Sequence, residues 1–316
     1  MATALTVSRF APGDEERWNA LVDTAPRRHF FFRREYMTYH ADRFTDFSLV
    51  VCAGDEPVAL LPASIDGPAV TSHGGLTFGG LVAAPSLTAR RTLDAFGRVL
   101  GFLGEQGVRT LVYKAMPHIY HVTPAEEDLY AAFRHDARLV RRDISSTVRP
   151  SDPRMITKGR RSAVAQGRRR GIRVEECRDF TTFMAIERDV LTARHGVAPA
   201  HTACELELLA ARCPREISLT AAFAGDEMVA GVVVYETPVV AHAQYIAATA
   251  EGYEAHALDV VIDHLLSVRY HDKRYFDFGI STTRAGRYLN EGLIRNKESV
   301  GARATVYDTY ELVVTG

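Results

Sequence analysis

Cysteine is scarce in this 316-residue chain: four residues and no Cys-x-x-Cys pair exclude a disulfide framework and favour a reducing compartment. No run approaches the eighteen apolar residues of a membrane span. Net charge is nearly absent too, since 38 basic against 39 acidic residues leave −1, which excludes a generally basic DNA-binding protein. The N-terminus has no basic segment followed by an apolar one, so no signal peptide is predicted. We therefore expect a cytoplasmic protein that binds no DNA.

Recognisable metal-site and nucleophile motifs are missing as well. His195, His201 and Cys204 stand close in sequence, but no fourth ligand follows at a spacing typical of zinc sites. Neither a G-x-S-x-G elbow nor a Walker A loop is present. The sequence therefore predicts no metal and gives no support to serine-hydrolase or P-loop chemistry.

Length and charge indicate two domains. Hydrophobic residues make up 47% and charged residues 24%, a globular composition long enough for two cores of about 150 residues. Between Arg154 and Arg173 eight basic residues occur with no acidic one, directly after Pro150 and Pro153. We place a domain boundary there, with domains over 1–150 and 151–316 and a basic linker helix over 154–173 at the start of the second.

Both halves predict the element order β-α-α-β-β-β-α-β-α-β. Turn residues at Gly54-Asp55 and Gly225-Asp226 indicate a β-hairpin in each half. Strands over Val140–Thr147 and Ala304–Val313 are expected to close the first and second halves respectively. The agreement in order predicts an internal duplication that residue identity alone would not show.

Several segments resemble one family. They are VAHAQYIAAT (240–249), YFDFGIS (275–281) and LNEGLIRNKESVGARATVYDTYEL (289–312) in the second half, and SHGG (72–75) and KAMPHIYH (114–121) in the first. They are similar to a bacterial branch of FemABX-like GNAT N-acyltransferases linked to surface-polysaccharide or natural-product pathways. The resemblance implies an α/β (α+β) fold of two tandem GNAT-like domains, each a mixed, mostly antiparallel sheet flanked by helices. The first domain would be degenerate and form the acceptor side.

The resemblance also implies where chemistry occurs. In this fold strand Val239–Ala247 and strand Tyr275–Ile280 diverge, and exposed main-chain N–H groups polarise the carbonyl of an acyl donor. Period-two alternation puts His242 and Gln244 on one face and Tyr245 on the other. We expect His242 to accept a proton and Gln244 to position substrate, unless both are satisfied within the core. The Asp277 side chain, in an otherwise aromatic strand, should point into a cavity or cap a neighbouring helix.

Other residues extend this candidate site. Asn290, Lys297 and Glu298 can share one side of the last helix, although a solvated charge pair also explains Lys297 and Glu298. Lys114 and Tyr120 end the matching strand of the first half. The candidate catalytic residues are His242, Asp277 and Glu298, and the candidate substrate contacts are Gln244, Tyr245, His201, Asn290, Lys297, Lys114 and Tyr120.

The candidate phosphate-binding residues match the pattern of the family only in part. The resemblance implies acetyl-CoA or another acyl-CoA as donor, but of its pyrophosphate loop only Gly252, Ala255 and Ala257 remain, beside Glu251 and Glu254. The uncompensated cations of the basic run repel one another unless an anionic partner is present. They could bind the phosphates of a nucleotide-linked acceptor or of a tRNA. The alternative is that the segment is a solvated linker helix. The candidate phosphate ligands there are Arg160, Arg161, Arg168 and Arg169.

The sequence thus predicts an N-acyltransferase. An acyl group, from acyl-CoA, would pass to a small-molecule amine acceptor such as an amino sugar or a peptide-like intermediate by direct attack. One alternative is a FemABX-type transferase that uses aminoacyl-tRNA. The other is a degenerate GNAT pair that serves as a non-catalytic binding module.

Overall fold

The computed structural model describes residues 3–315, except the side chains of residues 194 and 195. The chain forms two compact units, and neither is one uninterrupted stretch. The first comprises Met1–Asp143, Arg284–Arg287 and Val306–Gly316, and the second comprises Ile144–Thr283 and Tyr288–Thr305. No helix among the described residues is both long and apolar enough to cross a bilayer.

Within residues 3–315, the first unit contains two sheets and four α-helices. Its helices are α1 (Glu15–Thr24), α2 (Arg34–Met37), α3 (Ala89–Glu105) and α4 (Glu127–Arg134). Its strands are β1 (Leu5–Arg9), β2 (Thr45–Asp46), β3 (Leu49–Ala53), β4 (Glu56–Leu61), β5 (Ser64–Asp66), β6 (Ala69–Thr71), β7 (Val82–Ala83), β8 (Thr110–Lys114) and the first part of β9 (Arg138–Val148). One sheet has the order β1-β3-β4-β7, and the other contains β8-β6-β5-β2.

The second unit contains one principal sheet. Its helices are α5 (Lys158–Arg169), α6 (Phe180–His195), α7 (Ala203–Arg212), α8 (Ala250–Glu254), α9 (Ala257–His264) and α10 (Glu291–Glu298). Its strands are β10 (Arg173–Cys177), β11 (Ile217–Ala224), β12 (Glu227–Glu236), β13 (Val240–Ala248), β14 (Tyr275–Ile280), β15 (Thr282–Thr283), β16 (Tyr288–Leu289) and the start of β17 (Arg303–Val313). The order is β10-β11-β12-β13-β14-β9, antiparallel except for β13 beside β14. The prediction of a mixed, mostly antiparallel sheet is confirmed.

Local sequence explains most of these elements. Both hairpins form where Gly-Asp turns predict them, joining β3 to β4 and β11 to β12. Helix α7 begins with a capping box, in which the Thr202 side chain accepts from the Glu205 N–H and the Glu205 carboxylate accepts from the Thr202 N–H. In β12 eight consecutive residues from Met228 are buried, because the sheet is covered on both faces there.

The last strand of each half is divided between the two units. Residues 144–148 of β9 lie in the second unit, where β9 pairs antiparallel with β14. Residues 306–313 of β17 lie in the first unit and pair antiparallel with β8. Both strands occur near the predicted residues, Val140–Thr147 and Ala304–Val313, but each also pairs with a strand of the opposite unit. Alternation of residues defines a strand and its faces, but it does not identify the neighbouring strand.

The basic segment contains a helix that packs against α9. The helical part, α5, covers 158–169 of the predicted 154–173. A Cβ added at Gly167 would lie 2.5 Å from Val260 Cγ2 and 3.0 Å from the His256 carbonyl oxygen. Only glycine therefore allows α5 to approach α9 this closely.

Replacing the two glycines of α5 tests this packing. We expect Gly167→Ala to lower the free energy of unfolding by about 1–3 kcal/mol, because the added methyl overpacks the contact with α9. Gly159→Ala is the matched control, since its Cβ meets nothing within 4 Å, and it should be neutral or stabilising by up to about 1 kcal/mol. Urea denaturation measures both, and equal effects would contradict the packing.

Candidate active site

Strands β13 and β14 run side by side for only a short distance. The register between them ends at His242, although β13 continues to Ala248 and β14 to Ile280. The expected divergence of these strands is therefore present. The three pairs are Val240 with Tyr275, Ala241 with Phe276 and His242 with Asp277.

A β-bulge lies next to this opening. On the other side of β13, Val233 of β12 faces Tyr245 and Val234 faces Ala243, so Gln244 is an extra residue without an opposite position. A bulge bends its strand and changes the direction of nearby side chains. His242 and Gln244 are both half-buried, whereas Ala243 and Tyr245 are buried, as the alternation predicts.

His242 and Asp277 form a hydrogen-bonded pair where the two strands part. Nδ1 of His242 lies 2.8 Å from Oδ2 of Asp277. The Asp277 side chain is fully buried, while 14% of the His242 side chain is exposed. The second carboxylate oxygen accepts from Ser145 Oγ at 2.5 Å and from Thr147 Oγ1 at 3.3 Å. An ionised carboxylate can only accept hydrogen bonds, so we infer that Nδ1 carries the imidazole hydrogen and that Nε2 has the free lone pair of the ring.

Lys297 fixes the end of β14. Its Nζ donates to the carbonyl oxygens of Gly279 at 2.7 Å and Ile280 at 3.0 Å. Burial lowers the pKa of Lys297 to about 8, against the opposing effect of the Asp277 charge. Gly279 has φ +73°, and a Cβ there would lie 3.5 Å from His242 Cε1. The amine thus holds the left-handed glycine that lies against the imidazole.

Two other candidates on the last helix stay outside this cluster. Glu298 is exposed on α10, so the cluster of His242, Asp277 and Lys297 does not include its carboxylate. Asn290 is the N-cap of α10, with its side-chain oxygen accepting from the Leu293 N–H at 3.0 Å. A capping role explains its position in the sequence.

His201 and Tyr245 are buried and bonded to each other. Nδ1 of His201 lies 2.5 Å from the Tyr245 hydroxyl. This contact satisfies two polar groups inside the second unit. No group of three or more His, Cys, Asp and Glu side chains suited to a metal ion occurs within residues 3–315, leaving aside the undescribed side chains of 194 and 195.

The loop expected to receive a pyrophosphate uses its N–H groups internally. The Gly252 N–H donates to Thr249 Oγ1 at 3.0 Å, and the Ala255 N–H donates to the Glu251 carbonyl at 2.8 Å. A Cβ at Gly252 would lie 2.1 Å from the Val229 carbonyl oxygen, so this glycine permits close packing on β12. Ala257 is buried at the start of α9.

The arginines of α5 are partly neutralised. Arg160 forms an ion pair with Asp259 and also bonds to Ser299 Oγ at 2.9 Å. Arg168 pairs with Asp263 at 2.6 Å. The expectation of a wholly uncompensated basic run is therefore wrong, because α9 supplies carboxylates from ninety or more residues further along the chain. Arg161 donates to the Ile156 carbonyl, and Arg169 is exposed.

Lys114 and Tyr120 belong to the first unit. Lys114 Nζ donates to the carbonyls of His73 and Leu76, and burial lowers the pKa of Lys114 to about 8. The hydroxyl groups of Tyr120 and Tyr307 lie 3.0 Å apart and are buried. Both candidates therefore have partners inside their own unit.

Sequence reasoning missed three hydroxyl residues of the cluster. Ser145 and Thr147 lie on one face of β9 and contact Asp277, and Thr305 of β17 lies 3.0 Å from Thr147 Oγ1. Two hydroxyls at i and i+2 in a buried strand are a detectable signal. They acquire meaning only once β9 is known to pair with β14.

Comparisons with known proteins agree with this geometry. Residues 152–288 match the family described as Acetyltransferase (GNAT) domain. The chain as a whole shares the fold of FemX and of a tandem GNAT protein. FemX is similar in structure over 96% of both chains, with TM-score 0.65 and 9% identity. The resemblance inferred from sequence is confirmed at the level of the fold.

Two further solved structures share the fold. The C-terminal domain of a putative lysylphosphatidylglycerol synthetase from Agrobacterium fabrum matches with TM-score 0.60 and 14% identity, over 96% of this chain and 92% of that domain. A tandem GNAT protein from the clavulanic acid biosynthesis pathway matches over 99% of both chains, with TM-score 0.53 and 14% identity. No curated protein matches the chain in sequence.

The depressed pKa of Lys297 predicts a pH-dependent stability. Between pH 8 and 10.5 the unfolded chain holds a proton on this amine that the folded chain has released, so stability should rise with pH across that window. Relative to Lys297→Met, the wild type should gain about 3 kcal/mol over the window.

Urea denaturation at several pH values from 7 to 10.5 measures this difference. Lys158→Met, which removes an exposed amine of the same unit, is the control and should follow the wild-type curve. A constant difference between wild type and Lys297→Met at every pH would contradict the buried position of Lys297.

Proposed function

We propose that the chain is an N-acyltransferase whose second unit transfers an acyl group to an amine by direct attack. The observation that carries this proposal is the His242–Asp277 pair, set where β13 and β14 part. A half-buried imidazole oriented by a buried carboxylate is suited to accept a proton. The divergent strands give an extended donor access to unpaired main-chain groups.

Each part of the site has a role in the proposed reaction. The donor carbonyl lies in the opening, where N–H groups of β13 stabilise its oxygen as charge develops. The amine nitrogen attacks the carbonyl carbon, and a C–N bond forms. Nε2 of His242 removes the proton from that nitrogen, while Asp277 stabilises the imidazolium. The bond to the leaving group then breaks, and the imidazolium returns the proton to the leaving sulfur or oxygen.

We propose acetyl-CoA or another acyl-CoA as donor, and an amino sugar or a peptide-like amine as acceptor. The match of residues 152–288 to an acetyltransferase domain favours a thioester donor. Gln244, placed by the bulge beside His242, is suited to position the acceptor or donor. Direct transfer requires no covalent enzyme intermediate.

An aminoacyl-tRNA donor is the second candidate. One observation favours it: the N–H groups of Gly252 and Ala255 are bonded inside the chain rather than available to a pyrophosphate. Exposed arginines of α5, such as Arg161 and Arg169, would then contact the tRNA phosphates.

Binding measurements distinguish the two donors. Calorimetric titration with acetyl-CoA should give saturable binding that changes little between 50 and 200 mM salt. Charged tRNA is titrated under the same two conditions. Tight tRNA binding that weakens steeply with salt, together with no binding of acetyl-CoA, would reject acyl-CoA in favour of the second candidate.

Turnover of a His242→Ala variant tests the catalytic role. We expect kcat to fall by about 10²–10⁴-fold, because the general base is removed, while the urea midpoint stays near that of the wild type. His271→Ala removes an exposed imidazole of the same unit and should leave kcat unchanged. Unchanged turnover in both variants would remove His242 from the mechanism. If the wild-type chain turns over no acyl donor at all, the alternative of a non-catalytic binding module is favoured.

A further inference from the structure

A cavity of about 220 Å³ lies between α5 and α9 in the second unit. Its lining shares no residue with the cluster around His242 and Asp277. One wall consists of aliphatic side chains that offer no hydrogen bonds to a ligand. They are Ile156, Val164, Ala165, Ile262, Leu266 and Val300.

The rest of the lining carries an excess of positive charge. Four arginines face two aspartates, which leaves a formal charge of +2. The two aspartates are already engaged, Asp259 with Arg160 and Asp263 with Arg168. The excess therefore resides on Arg154 and Arg161.

Arg154 and Arg161 have neutral hydrogen-bond partners. Arg154 Nη2 donates to Ser267 Oγ at 3.1 Å, and Arg161 Nη1 donates to the Ile156 carbonyl. Burial lowers the pKa of Arg154, and the Asp263 charge opposes this only in part. A partly desolvated guanidinium beside neutral groups gains most from an anionic ligand, to which it can present two N–H donors.

We propose that this cavity binds a phosphomonoester of a short aliphatic alcohol. A dianionic phosphate matches the formal charge of +2, which a monocarboxylate would only half neutralise. The aliphatic wall suits a hydrocarbon chain, and the described lining has no aromatic, hydroxyl or amide side chain to recognise a base or a sugar. At ~30 Å³ per water, the cavity holds the volume of about seven waters, enough for a phosphate and a short chain.

Titration of the full chain with n-hexyl phosphate tests the proposal. Arg161→Ala should weaken binding about tenfold or more, because a charge-assisted hydrogen bond is lost. Arg169→Ala is the matched control: this residue is exposed on the same helix, carries the same charge and does not line the cavity, so its Kd should stay within twofold. Equal weakening in both variants would show a diffuse basic surface and would overturn the proposal.

A second variant separates filling of the cavity from loss of charge. Ala165→Leu keeps every arginine but adds a larger side chain to the lining, which fills part of the cavity. It should therefore abolish or strongly weaken binding of hexyl phosphate. Inorganic phosphate, hexanoate and adenosine monophosphate should each bind at least tenfold more weakly than hexyl phosphate to the wild type. Absence of hexyl phosphate binding, an unaffected Kd in Ala165→Leu, or preference for any of the three other ligands would overturn the proposal.

Discussion

The buried carboxylate of Asp277 is the interaction on which the candidate site depends. It has no exposed surface, yet it meets His242, Ser145 and Thr147 within hydrogen-bond distance. A buried charge is tolerated only when donors surround it, and the Gly279 N–H is a further donor at 3.4 Å, so the carboxylate and its partners fix one another in place. The orientation of the imidazole and the position of Gly279 follow from this arrangement.

The partners of Asp277 explain why the strand arrangement matters for chemistry. Ser145 and Thr147 belong to β9, which is the last strand of the first half in sequence but pairs with β14 inside the second unit. The hydroxyls that complete the site thus come from a strand outside the stretch matched to the GNAT domain, 152–288. Lys297 acts at the other end of β14, where it binds the Gly279 carbonyl.

The sequence alone predicts the individual strands and turns better than it predicts which strands pair with each other. Strand Tyr275–Ile280 and both Gly-Asp hairpins occur at the predicted residues, because turns and alternation are local signals. His242 and Asp277 were predicted as candidates, and the structure places them 2.8 Å apart. Their hydroxyl partners and the aspartates that neutralise the α5 arginines were not predicted, since those contacts join residues about ninety or more positions apart. Capping by Asn290 and the outward position of Glu298 likewise depend on how α10 packs.

Nitrogen-15 NMR of selectively labelled histidine tests the central claim most directly. The account predicts that neutral His242 carries its hydrogen on Nδ1, and that Asp277→Asn removes this preference while labelled His271 keeps its spectrum. A wild-type His242 with its hydrogen on Nε2, or a tautomer unchanged by Asp277→Asn, would contradict the claim that the buried carboxylate prepares the imidazole for proton transfer.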